Sequence, residues 1–254
     1  MGIIGQLLAH PLTRGLSVDD PHTTVLRRQV LETKPFLRLI YAEWYSLIIH
    51  ALGCRQDVLE LGSGAGFLKE HLPRVITSEV FEIPGIDIVL DACDLPFSNK
   101  SLDAIVMTDV FHHVPNVRRF LSEATRCIRP GGKIVMIEPW RTGWSEWVYT
   151  NFHSEPFLPD ATWEIPSTGP LSGANGALPW IVFERDRSVY SKYFPQWQIS
   201  RLTPLMPIVY LLSGGVSMRS LVPGWLYRPM RALEKLANEK NSAMFALIEL
   251  ELHS

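Results

Sequence analysis

Cysteine is scarce in this sequence, which argues against a disulfide-stabilised protein. The charges nearly cancel, which argues against a nucleic-acid-binding protein. The 254 residues include three cysteines, Cys54, Cys93 and Cys127, far apart in sequence. They are too few for a disulfide framework and lack the spacing of metal ligands, so we expect a reducing, cytoplasmic location. Lysine and arginine number 24 against 26 aspartate and glutamate residues, a net charge of −2. A chain this near neutrality has no overall field to hold a polyanion, so we expect no nucleic-acid partner.

A long uncharged apolar segment is also lacking. The longest apolar stretch, residues 36–53, contains Arg38, Glu43 and His50, and it predicts a half-buried helix rather than a membrane span. The first 15 residues have a short apolar patch but not the basic start of a signal peptide. Hydrophobic residues make up 46% of the chain, enough for a full core. We therefore expect one large domain with no stable membrane insertion.

The order of predicted elements indicates an α/β fold. Residues 19–24 have the composition of a helix start, and Pro35 predicts a break in the helical segment that follows. From residue 57, short apolar strands alternate with helices. The predicted strands are 58–62, 75–81, 86–91, 102–109 and 133–139, and the predicted helices between them are 67–72 and 116–129. This alternation favours a parallel sheet covered on both faces, which binds ligands at the carboxyl ends of its strands.

A glycine-rich turn, LELGSGAG at residues 59–66, raises the question of its ligand. Glycine after a strand lets the backbone approach a bound molecule closely. In a dinucleotide site the third glycine usually comes at the position that Phe67 occupies here. Glu60 is badly placed for a pyrophosphate and well placed for a cation. These residues favour S-adenosylmethionine, which has a sulfonium and an ammonium group and no phosphate.

Three segments resemble class I S-adenosylmethionine-dependent methyltransferases, in the ubiquinone-methyltransferase-like (type 11) branch. LELGSGAG is similar to the first family motif, DACDLPFSNKSLDAIVMTDVFHHV (residues 91–114) resembles the next two, and CIRPGGKIVMIEP (residues 127–139) resembles the strand that follows. The resemblance covers residues 57–139. It implies a Rossmann-like fold with a mostly parallel seven-stranded sheet, helices on both faces, an N-terminal helical cap and an aromatic-rich insertion after the fifth strand.

The segment beyond residue 139 differs in composition and shows no motif of known chemistry. Seven of the eight tryptophans lie there, in long segments typical of a lid or a substrate wall. Two late strands are predicted at 197–202 and 244–252, with a helix at 227–240 between them. We expect one methyltransferase domain over 1–254, made of an N-terminal helical cap (1–55), a cofactor-binding core (56–140), a lid or substrate insertion (141–195) and C-terminal strands and helix (196–254).

The resemblance implies S-adenosyl-L-methionine as the cofactor and implies which residues hold it. Glu79 would bond the ribose hydroxyls, with Glu82 as the alternative, and Asp91 would accept a hydrogen bond from the adenine amino group. Thr108 and Asp109 would lie near the sulfonium. The full cofactor set is Glu60, Gly62, Ser63, Gly64, Gly66, Glu79, Asp91, Ala92, Cys93, Thr108, Asp109 and Tyr41. Tyr41, Trp44 and Tyr45 share one helix face, for which core packing is the preferred role and closure over the methionine end of the cofactor is the alternative. No metal ligand is implied.

Three histidines are candidate catalytic bases. His112 and His113 follow the fourth predicted strand, and His153 forms a second candidate acid–base pair with Glu155. For each histidine a packing role is the alternative. Because a hydroxyl nucleophile benefits from a base, we expect methyl transfer to oxygen, with nitrogen as the alternative.

The expected acceptor is a small or medium molecule with apolar surface, and lipid-linked or polyketide-like molecules are included. The apolar residues 205–216 and the N-terminal patch favour this class, and core packing is their alternative role. Four arginines are expected to be solvated, with a grip on a substrate anion as the alternative: Arg27, Arg28, Arg185 and Arg187. Two other functions stay open. A catalytically diverged protein of this fold would have lost the cofactor acids, and Phe67 argues against a NAD-dependent oxidoreductase.

Overall fold

Two helices open the part of the chain that the structure describes. This structure, a computed structural model, covers residues 9–153, 155–166, 169–236 and 239–253, without the side chains of 239 and 240. Most of the predicted N-terminal apolar patch therefore lies outside the described residues. Helix α1 is Pro21–Thr33 and helix α2 is Pro35–Leu52. Asp20 caps α1 by accepting a hydrogen bond from His22 N at 2.9 Å. Pro35 starts the second helix, which confirms the predicted break.

Seven strands form one sheet. They are β1 (Val58–Leu61), β2 (Ile76–Glu79), β3 (Ile88–Val89), β4 (Leu102–Thr108), β5 (Ile128–Pro139), β6 (Trp197–Leu205) and β7 (Phe245–Leu252). Their order is β3-β2-β1-β4-β5-β7-β6. Strands β1 to β5 are parallel, and β7 is antiparallel to β5 and β6. The mostly parallel seven-stranded sheet is confirmed, and its order reverses between β1 and β4, where such sheets open a crevice.

Short helices connect the strands. They are α3 (Leu68–His71), α4 (Val117–Cys127), α5 (Gly143–Phe152), α6 (Leu178–Trp180), α7 (Arg187–Tyr193), α8 (Val209–Ser213), α9 (Tyr227–Glu234) and α10 (Glu239–Ser242). A π-helical turn, Ile181–Arg185, joins α6 to α7, and 3₁₀ turns occur at Phe111–His113 and Gly224–Leu226. The helix predicted at 227–240 was too long, since α9 ends at Glu234.

The start of β5 differs from the prediction, which placed the strand only after the glycine pair. The strand already begins at Ile128, and its pairing with β4 shifts from Leu102–Ile128 to Ala104–Lys133. Gly132 makes this bulge possible, because a Cβ there would lie 2.5 Å from the carbonyl oxygen of Asp103. The glycine pair, which predicted a turn before the strand, therefore forms a bulge inside the strand.

Helix α2 fixes the N-terminal segment on the sheet. Trp44 is fully buried, and its Nε1 donates to the sulfur of Met206 at 3.1 Å. Its ring also contacts those of Tyr210 and Phe245. Core packing was the preferred role for this residue, and it is confirmed. Within the described residues, no helix has both the length and the apolar character that crossing a membrane requires.

The insertion of residues 141–195 contains both core and cavity wall. Leu178, Ile181, Val182 and Phe183 are fully buried, and the Phe183 ring lies 5.3 Å from that of Phe111. Other residues of the insertion instead line the main cavity: Ile165, Pro166, Gly169, Pro170, Leu171 and Gly173. Part of the expected lid is thus integral to the core.

Candidate active site

The main cavity lies at the carboxyl ends of β1, β2 and β4. Its volume is about 380 Å³, within the usual range for a small-molecule site. Helices α1 and α2 form one wall, and residues 165, 166, 169–171 and 173 form another. Eleven of the predicted cofactor residues line it: Tyr41, Glu60, Gly62, Ser63, Gly64, Gly66, Glu79, Asp91, Ala92, Thr108 and Asp109.

The glycine turn is held in shape by its neighbours. Gly62 has φ 62°, and a Cβ there would lie 2.5 Å from a methyl group of Val110, so only glycine fits. Arg28 donates to the Gly64 carbonyl through Nη2 at 2.7 Å, and to the Pro84 carbonyl at 3.0 Å. Its guanidinium therefore clamps the turn. The turn exposes its backbone to the cavity in one fixed conformation.

Two buried carboxyl groups flank this turn. Glu60 ends up in the cavity wall although β1 is otherwise apolar, and burial raises its pKa to about 7. Burial also raises the pKa of Glu79, whose Oε2 accepts a hydrogen bond from Val80 N at 3.0 Å. Neither group has an ion-pair partner among the described residues. A cation or hydroxyl group bound beside Glu60 and Glu79 would therefore lower the free-energy cost of burying their ionised carboxyl groups.

The loop after β3 presents Asp91 and Ala92 to the cavity but not Cys93. Asp91 accepts a hydrogen bond from the backbone N–H of Cys93 at 2.8 Å. The Cys93 thiol turns away and lies 3.5 Å from the carbonyl oxygen of Asn116. Glu82, the alternative to Glu79, is exposed and is not part of the cavity wall.

Behind the cavity, at the end of β4, lies a cluster of histidines and carboxylates. His112 Nδ1 is 2.8 Å from Glu138 Oε2, and His112 Nε2 is 3.3 Å from Glu155 Oε2. His113 Nε2 lies 4.0 Å from the same Glu155 oxygen. His153 Nδ1 is 3.9 Å from it and accepts a hydrogen bond from Glu155 N. We call these five side chains the histidine–carboxylate cluster.

Local hydrogen bonds position the cluster. Glu138 also accepts from the backbone N–H groups of Val110 and Phe111, both at 2.8 Å, and so holds the turn after β4. The segment that follows Glu155 is tied down by Asn175, whose side chain bonds both the N–H and the carbonyl of Leu158. The end of β5, with Glu138, and the segment that contains Glu155 are thereby both held against the turn after β4.

The environment separates the charge states of the two adjacent histidines. For His112, burial lowers the pKa, but hydrogen bonds to Glu138 and Glu155 outweigh it and raise the pKa well above its usual value. For His113, burial and the charge of His112 lower the pKa to about 4. For Glu155, burial is outweighed by the hydrogen bond to His112 and the nearby histidines, so its pKa is lowered. His112 is therefore cationic and His113 neutral at pH 7.

Asp109 joins the cavity to the cluster. It has φ 63°, unusual for a residue other than glycine, and it lines both the main cavity and a small cavity beside Glu155. Burial raises its pKa to about 7, the positive His112 lowers it, and Glu138 raises it again. Such strained positions are frequent at functional sites.

Comparisons with known proteins agree with this geometry. A family model described as a methyltransferase domain matches residues 84–136. The chain also aligns with the geranyl diphosphate C-methyltransferase of Streptomyces coelicolor A3(2), solved with Mg²⁺, geranyl diphosphate and S-adenosyl-L-homocysteine. The TM-score is 0.54 at 14% identity, over 99% of this chain and 93% of that one. The chain thus has the Rossmann-like fold of class I S-adenosylmethionine-dependent methyltransferases, and residues 84–136 match a methyltransferase domain.

Curated relatives match the chain over limited spans. A demethylmenaquinone methyltransferase of Tropheryma whipplei is 30% identical over 119 residues, covering 38% of this chain and 48% of the relative. A phthiotriol/phenolphthiotriol dimycocerosates methyltransferase of Mycobacterium tuberculosis is 45% identical over 51 residues, covering 20% of this chain and 19% of the relative. The chain thus spans about half the length of the first relative and about a fifth of the second.

The three histidines predicted to be catalytic bases lie in different surroundings. His113 lines the main cavity, His153 lines the small cavity, and His112 lines neither. Both ring nitrogens of His112 face carboxylates, so it has no lone pair to offer an acceptor. A base role for His112 does not fit this arrangement, and a role in holding the two carboxylates does.

Three site residues were missed or weighed too lightly from the sequence. Glu138 interrupts an apolar strand, and a lone acid in a buried strand requires a partner, which is a signal that could have identified it. Thr24 and Arg27 lie one turn apart on α1 and line the cavity. Thr24 Oγ1 and Arg27 Nε are buried without a hydrogen-bond partner in the described part of the chain. Arg27 is half-buried and lines the cavity, whereas Arg28 binds backbone carbonyls.

Proposed function

We propose that this protein transfers the methyl group of S-adenosylmethionine to an oxygen atom of a small or medium, partly apolar acceptor, with nitrogen as the alternative. One observation carries the proposal. Glu60, Glu79 and Asp91 converge with the glycine turn on a single cavity of suitable volume. This donor set complements a cation joined to a nucleoside better than it complements a pyrophosphate.

Each polar group of the cofactor has a complement in this cavity. Glu79, at the end of β2, would accept hydrogen bonds from the ribose hydroxyls, as acids do at that position in related folds. Asp91 would accept from the adenine amino group, beside Ala92. Glu60 would face the ammonium group, directly or through water. A cation there would return Glu60 to its charged form, which burial alone disfavours.

Arg27 is assigned to the carboxylate of the cofactor. This carboxylate is the only negative charge of S-adenosylmethionine, and a guanidinium is well suited to bind it. The buried Nε of Arg27 has no partner in the described residues, so the free protein leaves a donor unused at the cavity wall. Leaving such a donor unpaired costs free energy that an anion would recover.

His113 is assigned as the proton acceptor. In the transfer, the acceptor oxygen forms a bond to the methyl carbon while the bond from that carbon to sulfur breaks, and the leaving group is a neutral thioether. The protein holds the three atoms in line and excludes water. The neutral state of His113 at pH 7 leaves it able to take the hydroxyl proton.

The acceptor would lie against the apolar part of the cavity wall. This wall comprises Val110, Val114, Pro115, Ile165, Pro166, Pro170, Leu171 and Val216. Two curated relatives are named for demethylmenaquinone and for phthiotriol dimycocerosates, and these names support an apolar acceptor. A lipid-linked or polyketide-like molecule therefore remains our proposed acceptor class.

Calorimetry tests the cofactor, and label transfer tests the reaction. The full chain should bind S-adenosylmethionine and S-adenosylhomocysteine, and should not bind a nicotinamide dinucleotide. With methyl-labelled cofactor, label should pass to apolar hydroxyl compounds more readily than to matched amines. Binding of the dinucleotide without binding of S-adenosylhomocysteine would refute the proposal. Cofactor binding without transfer to any acceptor class would favour a diverged, non-catalytic protein.

A further inference from the structure

Two imidazoles and a carboxylate of the histidine–carboxylate cluster point their donor atoms at one another. One ring nitrogen of His112, one of His113 and a carboxylate oxygen of Glu155 all lie within 4.8 Å of one another. The closest pair, His112 Nε2 and Glu155 Oε2, is 3.3 Å apart, and His113 Nε2 is 4.0 Å from the same oxygen. Ligands about 2.0–2.2 Å from a tetrahedral zinc ion are roughly 3.3 Å apart. The spacing is thus within a small side-chain movement of a metal site.

The outer ring nitrogens are already engaged in the way that metal-binding histidines require. His112 Nδ1 faces the buried Glu138 carboxylate at 2.8 Å, and His113 Nδ1 faces the Gly173 carbonyl at 3.2 Å. Both partners accept hydrogen bonds, so each ring carries a proton on Nδ1 and directs Nε2 toward Glu155. Histidines that bind metals usually donate their other N–H to a carboxylate or a backbone carbonyl. This arrangement orients both rings before any ion arrives.

The local charge also suits a dication. Carboxylate oxygens of Asp109, Glu138 and Glu155 all lie within 4.0 Å of a ring nitrogen of His112. Three carboxyl groups in a buried region are costly without positive charge beside them, and a divalent cation would supply that charge.

We propose that His112 Nε2, His113 Nε2 and the Glu155 carboxylate bind one divalent first-row transition-metal ion, with Glu138 and the Gly173 carbonyl positioning the two imidazoles. Two histidines and one carboxylate form a known ligand set for zinc and for non-haem iron, with a coordination position left open. Binding would release the proton of His112 Nε2 to solvent. His153 is left out, because its Nδ1 already accepts a hydrogen bond from Glu155 N.

The open position would face the acceptor. His113 lines the main cavity, and Asp109 borders both that cavity and the small cavity that Glu155 lines. A metal-bound hydroxyl group loses its proton more easily, so the ion would take over the role assigned above to His113. This last point rests on the proposed function, whereas metal binding itself does not.

Metal binding can be measured without cofactor or acceptor. Tag-free full-length protein, freed of metal with a chelator, would be titrated with Zn²⁺ by calorimetry and with Co²⁺ by visible absorption. We expect one equivalent of each ion, and a Co²⁺ spectrum of four- or five-coordinate type. His113→Asn and Glu155→Gln should each weaken Zn²⁺ binding at least 100-fold, and Glu138→Gln should weaken it about 10–100-fold. His50→Asn, at an exposed position of α2, should change nothing.

The outcomes separate this inference from the proposed function. No stoichiometric binding of either ion, or binding retained in both His113→Asn and Glu155→Gln, overturns the metal site. Thermal unfolding in the presence of chelator shows whether each variant is folded, and Glu138→Gln changes no ligand. A chain that binds S-adenosylhomocysteine but neither ion keeps the proposed function and loses the metal site. If the chain binds the ions but not S-adenosylhomocysteine, the metal site stands and the proposed function is refuted.

Discussion

The pKa values of buried carboxyl groups shift in opposite directions in the two halves of the site. In the cofactor half, around the glycine turn, burial raises the pKa values of Glu60 and Glu79, and neither has an ion-pair partner among the described residues. In the acceptor half, around the histidine–carboxylate cluster, hydrogen bonding to His112 lowers the pKa of Glu155 despite burial. The first half is incomplete until a positively charged ligand binds. The second half already contains one cation, the His112 imidazolium, whose two ring nitrogens face Glu138 and Glu155.

The largest effect should come from the acceptor half. His113→Asn should lower the rate of methyl transfer by about 10²–10⁴-fold, the usual contribution of a positioned proton acceptor. The affinity of this variant for S-adenosylhomocysteine should stay unchanged, because the predicted cofactor residues lie elsewhere on the wall of the main cavity. Initial rates at saturating cofactor and calorimetry measure the two effects. His50→Asn is the matched control, and full turnover in His113→Asn would contradict both roles given to this histidine.

In the cofactor half, Glu79→Ala should weaken S-adenosylhomocysteine binding about 100-fold. It removes two charge-assisted hydrogen bonds to the ribose, each of which contributes roughly 1.5–3 kcal/mol, partly offset by loss of a buried charge. Glu82→Ala is the control, since Glu82 is exposed and not in the cavity wall. Equal losses in both variants would remove the assignment of Glu79.

A smaller effect is expected at Arg27. Arg27→Met should weaken S-adenosylhomocysteine binding about tenfold, or about 1.4 kcal/mol, by removing one charged contact to the carboxylate. Adenosine lacks that carboxylate, so its affinity should not change. Glu79→Ala, by contrast, should weaken both ligands. Loss of adenosine binding in Arg27→Met would show that the residue supports the nucleoside or the fold instead.

The smallest effect is a pH dependence. The pKa of Glu60 is raised to about 7, so the carboxyl group gains a proton as the pH falls below 7 and stops attracting the ammonium group. S-adenosylhomocysteine affinity should therefore fall between pH 7 and pH 6, by at most about tenfold because one proton is involved. Calorimetry at both pH values measures it. Glu60→Gln should bind more weakly at pH 7 and lose this dependence, and an unchanged slope would assign it to another group.

The cofactor half was largely predictable from the sequence. Its residues come from three successive strand ends within residues 60–92, and parallel strands place their carboxyl ends at one edge. The exception was Cys93, which the Asp91 turn directs away from the cavity. Arg27 could not be assigned, because nothing local distinguishes it from Arg28, and only the packing of α1 shows which guanidinium meets the cavity.

For the acceptor half, the sequence predicted which histidines and carboxylates were candidates but not the role of each. His112, Glu138 and Glu155 come from separate segments, and their roles depend on contacts that Asn175 and the turn after β4 impose. His112 and His113 are adjacent in sequence and have opposite charge states at pH 7.

The sequence alone determined the order of strands and helices, the glycine turn and the acids that follow it, because hydrophobic periodicity and backbone sterics act over a few residues. Only the tertiary structure decided which histidine faces the cavity, which arginine has an unused donor, and that part of the expected lid belongs to the core. The physical reason is that pKa values, burial and ligand geometry depend on atoms brought within a few ångströms by folding, often from positions far apart in the chain.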